Sequence, residues 1–178
     1  NIETSQNVGE AVSKAEKFFK EYGKKVSICT IAVVAVALVI VAVMQFYIKP
    51  LQAEAANQTY AAEQYFRSGI YDLALNGDGN ALGFAQVVDE YGKKAGAAVY
   101  LYAGICELQL GNADNAISYL KKYNGKDEIL AARALACIGD CYVNLEDYNT
   151  ALGYFEKAVA EGDNAFAAEY LLDAGLVA

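Results

Sequence analysis

The chain has 178 residues, of which 56% are hydrophobic and only 20% are charged, and its formal net charge is −8. A composition this apolar is unusual for a soluble domain and indicates a membrane segment. The absence of His excludes imidazole-based catalysis and His-ligated metal sites. The acidic balance argues against nucleic acid as a partner. The single Pro favours long helices over a turn-rich all-β fold.

In chain order, the first predicted element is a helix at the N-terminus. Its apolar residues recur at three- and four-residue spacing, which predicts an amphipathic helix. This helix could lie on the anionic inner leaflet, or dock onto a cytoplasmic or intramembrane partner. The residues concerned are Val8, Ala11, Val12, Ala15, Phe18, Phe19 and Tyr22.

A run without charged residues follows over residues 26–48 and consists mostly of Val, Ala, Ile and Leu. As a helix rising about 1.5 Å per residue, this run is ~34 Å long, enough to cross a hydrocarbon core of about 30 Å. It exceeds the apolar region of a cleaved signal peptide, which is about 7–15 residues long. We therefore predict three parts: an amphipathic head at 1–25, a transmembrane helix at 26–48 and a body at 49–178.

The charges on either side of the run differ and predict its orientation. Residues 1–25 contain five Lys, whereas Lys49 is the only basic residue comparably close on the other side. From residue 50 onward, 8 basic and 18 acidic residues give a net charge of −10. The positive-inside rule places the head in the cytoplasm and the body outside it. We expect a single-pass protein of the bacterial inner membrane with a periplasmic body.

Two segments of the body are similar at a fixed offset of 35 residues. A period near 34 with small residues at fixed positions is typical of a tetratricopeptide repeat, which is a helix–turn–helix unit. The clearest copy runs from 135 to 158, with a turn at 144–147, and a looser copy occupies about 97–124. The matching pairs are Gly104 with Gly139, Cys106 with Cys141, Ala116 with Ala151, Tyr119 with Tyr154, and Leu120 with Phe155.

A more degenerate pair of helices is predicted before these copies, over 52–67 and 80–91. In it we expect Tyr60, Tyr65 and Phe66 to face Phe84, Val87, Val88 and Tyr91. After the clear copy, residues 165–178 predict another first helix, in which Ala174-Gly175 matches Ile138-Gly139. Because a terminal apolar face needs a polar cap, we expect the chain to be truncated at its C-terminus. The absent initiator Met suggests trimming at the start as well. The predicted fold is all-α, with one N-terminal transmembrane helix followed by a tetratricopeptide-repeat α-solenoid.

The first helix of each such repeat lines a groove, and this predicts the partner-binding residues. An apolar stripe in the first clear repeat is either a surface for a peptide or helix, or is covered as part of the core. The candidate partner-binding residues are Leu101, Ile105, Leu108, Arg133, Asp140 and Val143.

The remaining motifs are weak. Residues 76–80 place side-chain oxygens at alternate positions, but the Gly and Glu that a calcium loop needs later are missing, so we predict a turn. Cys106, Cys137 and Cys141 are predicted to be buried thiols, with a Cys106–Cys141 bridge left open for an oxidising compartment. No nucleophile stands beside a plausible base. We expect no enzyme activity, no catalytic residue, no cofactor and no metal site.

The order of a Lys-rich head, one transmembrane helix and a tetratricopeptide body resembles the family of ancillary subunits of the bacterial Sec translocon. The stretches 71–80, 89–92 and 102–106 are similar to a Bacteroidetes branch of such membrane-anchored repeat proteins. The resemblance implies a non-catalytic scaffold that sits beside Sec translocon subunits with a membrane-anchored peptidyl-prolyl isomerase chaperone and assists exported proteins. The alternative is a tetratricopeptide scaffold subunit of another cell-envelope secretion or assembly complex. An enzyme or metal sensor is a further class, which bound metal in native mass spectrometry would reveal.

Overall fold

The computed structural model describes residues 2–161 and 166–178, and of the side chains of residues 1–21 it describes only Ser13 and Lys20. Within these residues every regular element is a helix. The chain divides into two compact units, Asn1–Lys49 and Pro50–Ala178.

The first unit is helical throughout its described length. Helix α1 spans Ile2–Val43 and is followed by a π-helical turn at Met44–Ile48. All side chains from residue 24 to residue 47 are exposed, and the Thr30 hydroxyl donates a 2.9 Å hydrogen bond to the Val26 carbonyl. Among the described residues, one helix, near the N-terminus, is long and apolar enough to cross a membrane. The predicted amphipathic face of the head falls on side chains outside the described set, apart from the exposed Tyr22.

The second unit is a succession of shorter helices. Helix α5 packs on α6 and α7 on α8, while α6 also contacts α7 and α8 contacts α9. The bounds are α2 Lys49–Arg67, α3 Tyr71–Asn76, α4 Phe84–Tyr91, a 3-10 turn Gly92–Ala95, α5 Ala97–Gln109, α6 Ala113–Leu120, α7 Glu128–Asn144, α8 Tyr148–Ala160 and α9 Ala167–Val177.

The 35-residue similarity corresponds to a repeated packing contact. A Cβ added at Gly104 would lie 2.6 Å from Leu120 Cγ, and one added at Gly139 would lie 2.6 Å from Phe155 Cε1. The α5–α6 and α7–α8 pairs therefore approach closely where a side chain is absent. The matching small residues of α6 and α8, Ala116 and Ala151, are both fully buried.

The same turn between paired helices occurs three times. Gly69, Gly111 and Glu146 have φ angles of 73°, 83° and 60°. Each donates its N–H to the carbonyl three residues earlier, and the next residue donates to the carbonyl five residues before it. The first two turns are separated by 42 residues and the last two by 35. The extra seven residues match the segment 77–83 between α3 and α4.

The first predicted pair needs two corrections. Its second helix, expected at 80–91, begins only at Phe84 as α4, and an additional helix, α3, precedes it at Tyr71–Asn76. A Cβ added at Gly77 or Gly83, in the segment between α3 and α4, would lie 2.9 Å or less from backbone atoms, so neither position has room for a side chain. Tyr60 is 66% exposed and does not face α4. Phe66 does contact Phe84, with ring centroids 6.1 Å apart.

The body has three small cores instead of one large core. The first joins α2 to α5, the second joins α5, α6 and α7, and the third joins α7, α8 and α9. In α9, Ala174 is buried as its match Ile138 is, but a Cβ at Gly175 would meet nothing within 4 Å. The Gly139 contact therefore has no counterpart at Gly175.

Candidate partner-binding groove

Helix α7 supports the surface that the sequence predicts to bind a partner. The helix begins after Asp127, whose carboxylate accepts a 2.9 Å hydrogen bond from the Leu130 N–H. Its apolar residues divide between two cores: Cys137 and Ile138 belong to the second, and Ala132 and Ala136 to the third. Other positions of α7 remain partly or fully exposed, among them Arg133, Asp140, Val143 and Asn144.

Two hollows border these positions and together form what we call the α7 groove. One has a volume of about 400 Å³ and lies between α5 and α7. The other has a volume of about 420 Å³ and lies between α7 and α9. The first is lined by Leu108, Gln109, Asp140, Val143 and Asn144, and the second by Ile129, Leu130, Arg133, Phe166, Glu169 and Tyr170.

The groove contains one cation surrounded by acidic groups. Burial raises the pKa of Asp140 to about 6; the nearby Arg133 guanidinium opposes this rise, whereas Asp173 and Glu169 add to it. Burial also raises the pKa of Asp173. For Arg133, burial acts to lower the guanidinium pKa, but the charges of Cys137, Tyr170, Asp140 and Glu169 raise it overall. Three carboxyl groups thus lie near one guanidinium at this surface.

The structure brings four of the six predicted groove residues to this surface. Leu108, Asp140 and Val143 line the first hollow, and Arg133 lines the second. Ile105 is partly buried against the second core. Leu101 is 1% exposed and is a member of that core, so its assignment to the groove is wrong. The alternative interpretation, that the stripe is core, holds for Leu101.

The α9 wall of the groove was not predicted. Phe166, Glu169 and Tyr170 contribute to the second hollow. The available signal was the four-residue spacing of Glu169 and Asp173, which places both carboxylates on one face of a helix. Residues 165–178 were predicted to form a further first helix, but no groove residue was assigned to it.

The three cysteines of the body are free and buried. Burial raises the pKa of Cys106 and of Cys141 to about 12, and that of Cys137 to about 11. Thiols held in this protonated form react slowly as nucleophiles and bind metals poorly. Among the described residues, no group of three or more Cys, Asp or Glu is arranged to hold a metal ion.

No protein-family model matches the chain, and no curated protein matches it either.

Proposed function

We propose that this protein is a membrane-anchored, non-catalytic scaffold whose body is a solenoid of tetratricopeptide type. The observation that carries the proposal is the presence, in one chain, of an exposed apolar helix and a body of repeated helix pairs. An exposed apolar surface as long as residues 26–47 is not stable in water, and a lipid bilayer is the environment that suits it.

The repeated pairs support the solenoid assignment. The Gly104–Leu120 contact recurs as Gly139–Phe155, and the left-handed turn at Gly111 recurs at Glu146. Three small cores that join successive helices are the arrangement expected when each repeat contacts only its neighbours.

The charges flanking the span support a cytoplasmic head and a periplasmic body. Five Lys precede the apolar run, and only Lys49 follows it closely. With the body in the periplasm, the α7 groove is available to exported chains or to other envelope proteins. Its apolar positions and its three carboxyl groups suit an extended segment that carries apolar and basic side chains.

We propose that the partners are Sec translocon subunits and a membrane-anchored peptidyl-prolyl isomerase chaperone. This identification depends on the resemblance in domain order. The test is a pull-down of the full-length protein from native membranes in mild detergent, followed by mass spectrometry. Near-stoichiometric translocon subunits are the expected result. Enrichment of a different envelope complex without translocon subunits would reassign the scaffold to that complex.

Topology is tested in a background in which the four native Cys are replaced. Ser13→Cys should be protected from a membrane-impermeant thiol reagent while the inner membrane is intact. Glu156→Cys, on the exposed face of α8, should react once the outer membrane is permeable. The reverse labelling pattern would show that the body is cytoplasmic.

The groove is tested by photo-crosslinking, which leaves the fold intact. A photo-reactive phenylalanine replaces Asn144, which is exposed and lines the first hollow, or Glu156, which is exposed on α8 away from the groove. We expect crosslinks to a partner or to an exported chain from position 144 and not from position 156. Equal crosslinking from both positions would show that the groove is not the binding surface.

A further inference from the structure

A second cavity lies outside the α7 groove and shares no residue with it. Its volume is about 630 Å³, and it lies where the end of α4, the 3-10 turn, the start of α5 and the segment after α6 meet. Five of its lining residues carry polar side chains: Asp89, Lys93, Tyr100, Lys122 and Asn124.

A hollow at this junction occurs in both copies of the repeat, but the side chains at matching positions differ in their chemistry. A hollow of about 360 Å³ is lined by Tyr123, Ala131 and Leu135, which follow Val88, Gly96 and Tyr100 by 35 residues. The same offset relates Lys93 to Glu128, Tyr100 to Leu135 and Asn124 to Val159. The first cavity therefore has a cation, a hydroxyl and an amide where the second copy has an anion and two apolar residues.

The Tyr100 side chain indicates that the cavity receives a polar group. Tyr100 is 8% exposed, and its hydroxyl makes no hydrogen bond within the part of the chain that the structure describes. Of the buried side chains described, only Tyr170 has a hydroxyl that is both unpartnered and closed to solvent. The Tyr100 hydroxyl therefore remains accessible to solvent, and Tyr100 is one of the residues that line the cavity. A ligand oxygen in the cavity could accept the hydrogen bond that this hydroxyl otherwise donates to water.

The charge of the cavity is opposite to that of the body. Neither Lys93 nor Lys122 forms an ion pair with a carboxylate of the described residues, and Lys122 lies over the Tyr119 ring at 5.6 Å. Asp89 is the one carboxylate in the lining. The cavity thus has a net charge of +1 within a body of net charge −10.

The start of α5 adds hydrogen-bond donors to this cation pair. Helix α5 has 13 residues and begins after Gly96, and no side chain caps it. The first N–H groups of such a helix lack intrahelical partners and carry partial positive charge. Gly96 and Ala97 both line the cavity.

We propose that this cavity binds a small oxyanion, a phosphate or carboxylate group, held by Lys93 and Lys122 with the Tyr100 hydroxyl and the start of α5. Asn124 supplies an amide donor to the same anion or to the rest of the ligand. The site is independent of the proposed scaffold role, because it involves none of the α7 groove residues.

The test is isothermal titration calorimetry on the full-length protein in detergent micelles at constant ionic strength, with inorganic phosphate in one arm and acetate in the other. We expect saturable binding of at least one anion with 1:1 stoichiometry, and the tighter of the two identifies the type of oxyanion. The variant Lys93→Gln/Lys122→Gln should weaken binding by roughly tenfold or more, since hydrogen bonds to charged groups each contribute about 1.5–3 kcal/mol.

Two further variants distinguish binding at this site from nonspecific attraction of anions to surface lysines. Tyr100→Phe removes only the hydroxyl and should weaken binding by roughly 2- to 12-fold. Lys157→Gln is the matched control, because Lys157 lies over the Tyr154 ring at 4.7 Å and this pair follows the Lys122–Tyr119 pair by 35 residues. Lys157 lines neither the 630 Å³ cavity nor the 360 Å³ hollow. It should leave the affinity unchanged. Absence of saturable binding of both anions up to about 20 mM, a range set by weak millimolar sites, would overturn the proposal. Equal weakening by Lys157→Gln would overturn it as well.

Discussion

The close contact at Gly139 predicts that two Gly→Ala substitutions in neighbouring helices have opposite effects on the free energy of unfolding. A Cβ at Gly139 would lie 2.6–2.9 Å from three atoms of the Phe155 ring, against 3.4–4 Å for ordinary contact. Phe155 is 1% exposed, so its ring has no free space into which to rotate. Overpacking of this kind costs about 1–3 kcal/mol, while Ala in place of Gly favours a helix by about 1 kcal/mol. We expect Gly139→Ala to lower the free energy of unfolding by up to about 2 kcal/mol.

Gly153→Ala is the matched control, because Gly153 lies inside α8 and a Cβ there meets nothing within 4 Å. Only the helix preference applies, so this variant should gain up to about 1 kcal/mol. The assay is urea unfolding of the full-length protein in micelles, followed by far-UV circular dichroism, with the denaturant slope compared between variants. A Gly139→Ala protein that gains as much stability as Gly153→Ala would refute the close packing of α7 on α8.

Three other predictions use the same preparation. Glu146→Gly should raise the free energy of unfolding by roughly 0.5–1 kcal/mol, because Glu146 adopts a φ angle of 60° at the position where the equivalent residue is Gly111. Gly111→Ala should lower the free energy of unfolding for the same reason. Urea midpoints measure both effects. Burial raises the pKa of Asp140 from 3.8 to about 6, so the folded state binds its proton more tightly than the unfolded state. The stabilisation from this proton is therefore complete below pH 4 and is lost as the pH rises through 6. Asp140→Asn should remove this loss of stability, which is on the order of 1 kcal/mol at pH 7 after allowance for solvent screening. The measurement is the free energy of unfolding of both proteins at pH 4 and at pH 7. The three buried cysteines of α5 and α7 should resist iodoacetamide at pH 7.5 and be alkylated only in denaturant, as mass spectrometry of the peptides can show; rapid alkylation of the folded protein would contradict their burial.

Residues that match at a fixed offset predicted the central part of the body. Gly104 and Gly139 were informative because the absence of a side chain at a helix contact is visible in the sequence itself. The long apolar run was predicted for a similar reason, since length and lack of charge suffice to identify it. The chemistry of both features is local, and a single sequence is enough to reveal it.

The parts that were missed depend on contacts between distant residues. Leu101 was assigned to the groove by its position in the repeat, but helix α7 supplies Cys137 and Cys141 against the same core and buries it. The sequence predicted a turn at 76–80, but the separate helix α3 and the late start of α4 depend on the close backbone approach of Gly77 and Gly83, which spacing alone does not indicate. The oxyanion cavity combines residues from four segments of the chain, and none of these segments has a recognisable motif.

The three separate cores determine how the body should unfold. Because each core is shared by adjacent helices only, loss of α9 removes part of the third core and leaves the first untouched. A body built in this way should unfold in stages, one core at a time, and not all at once. The aromatic cluster around Phe84 belongs to the first core and should therefore persist when the third core is lost.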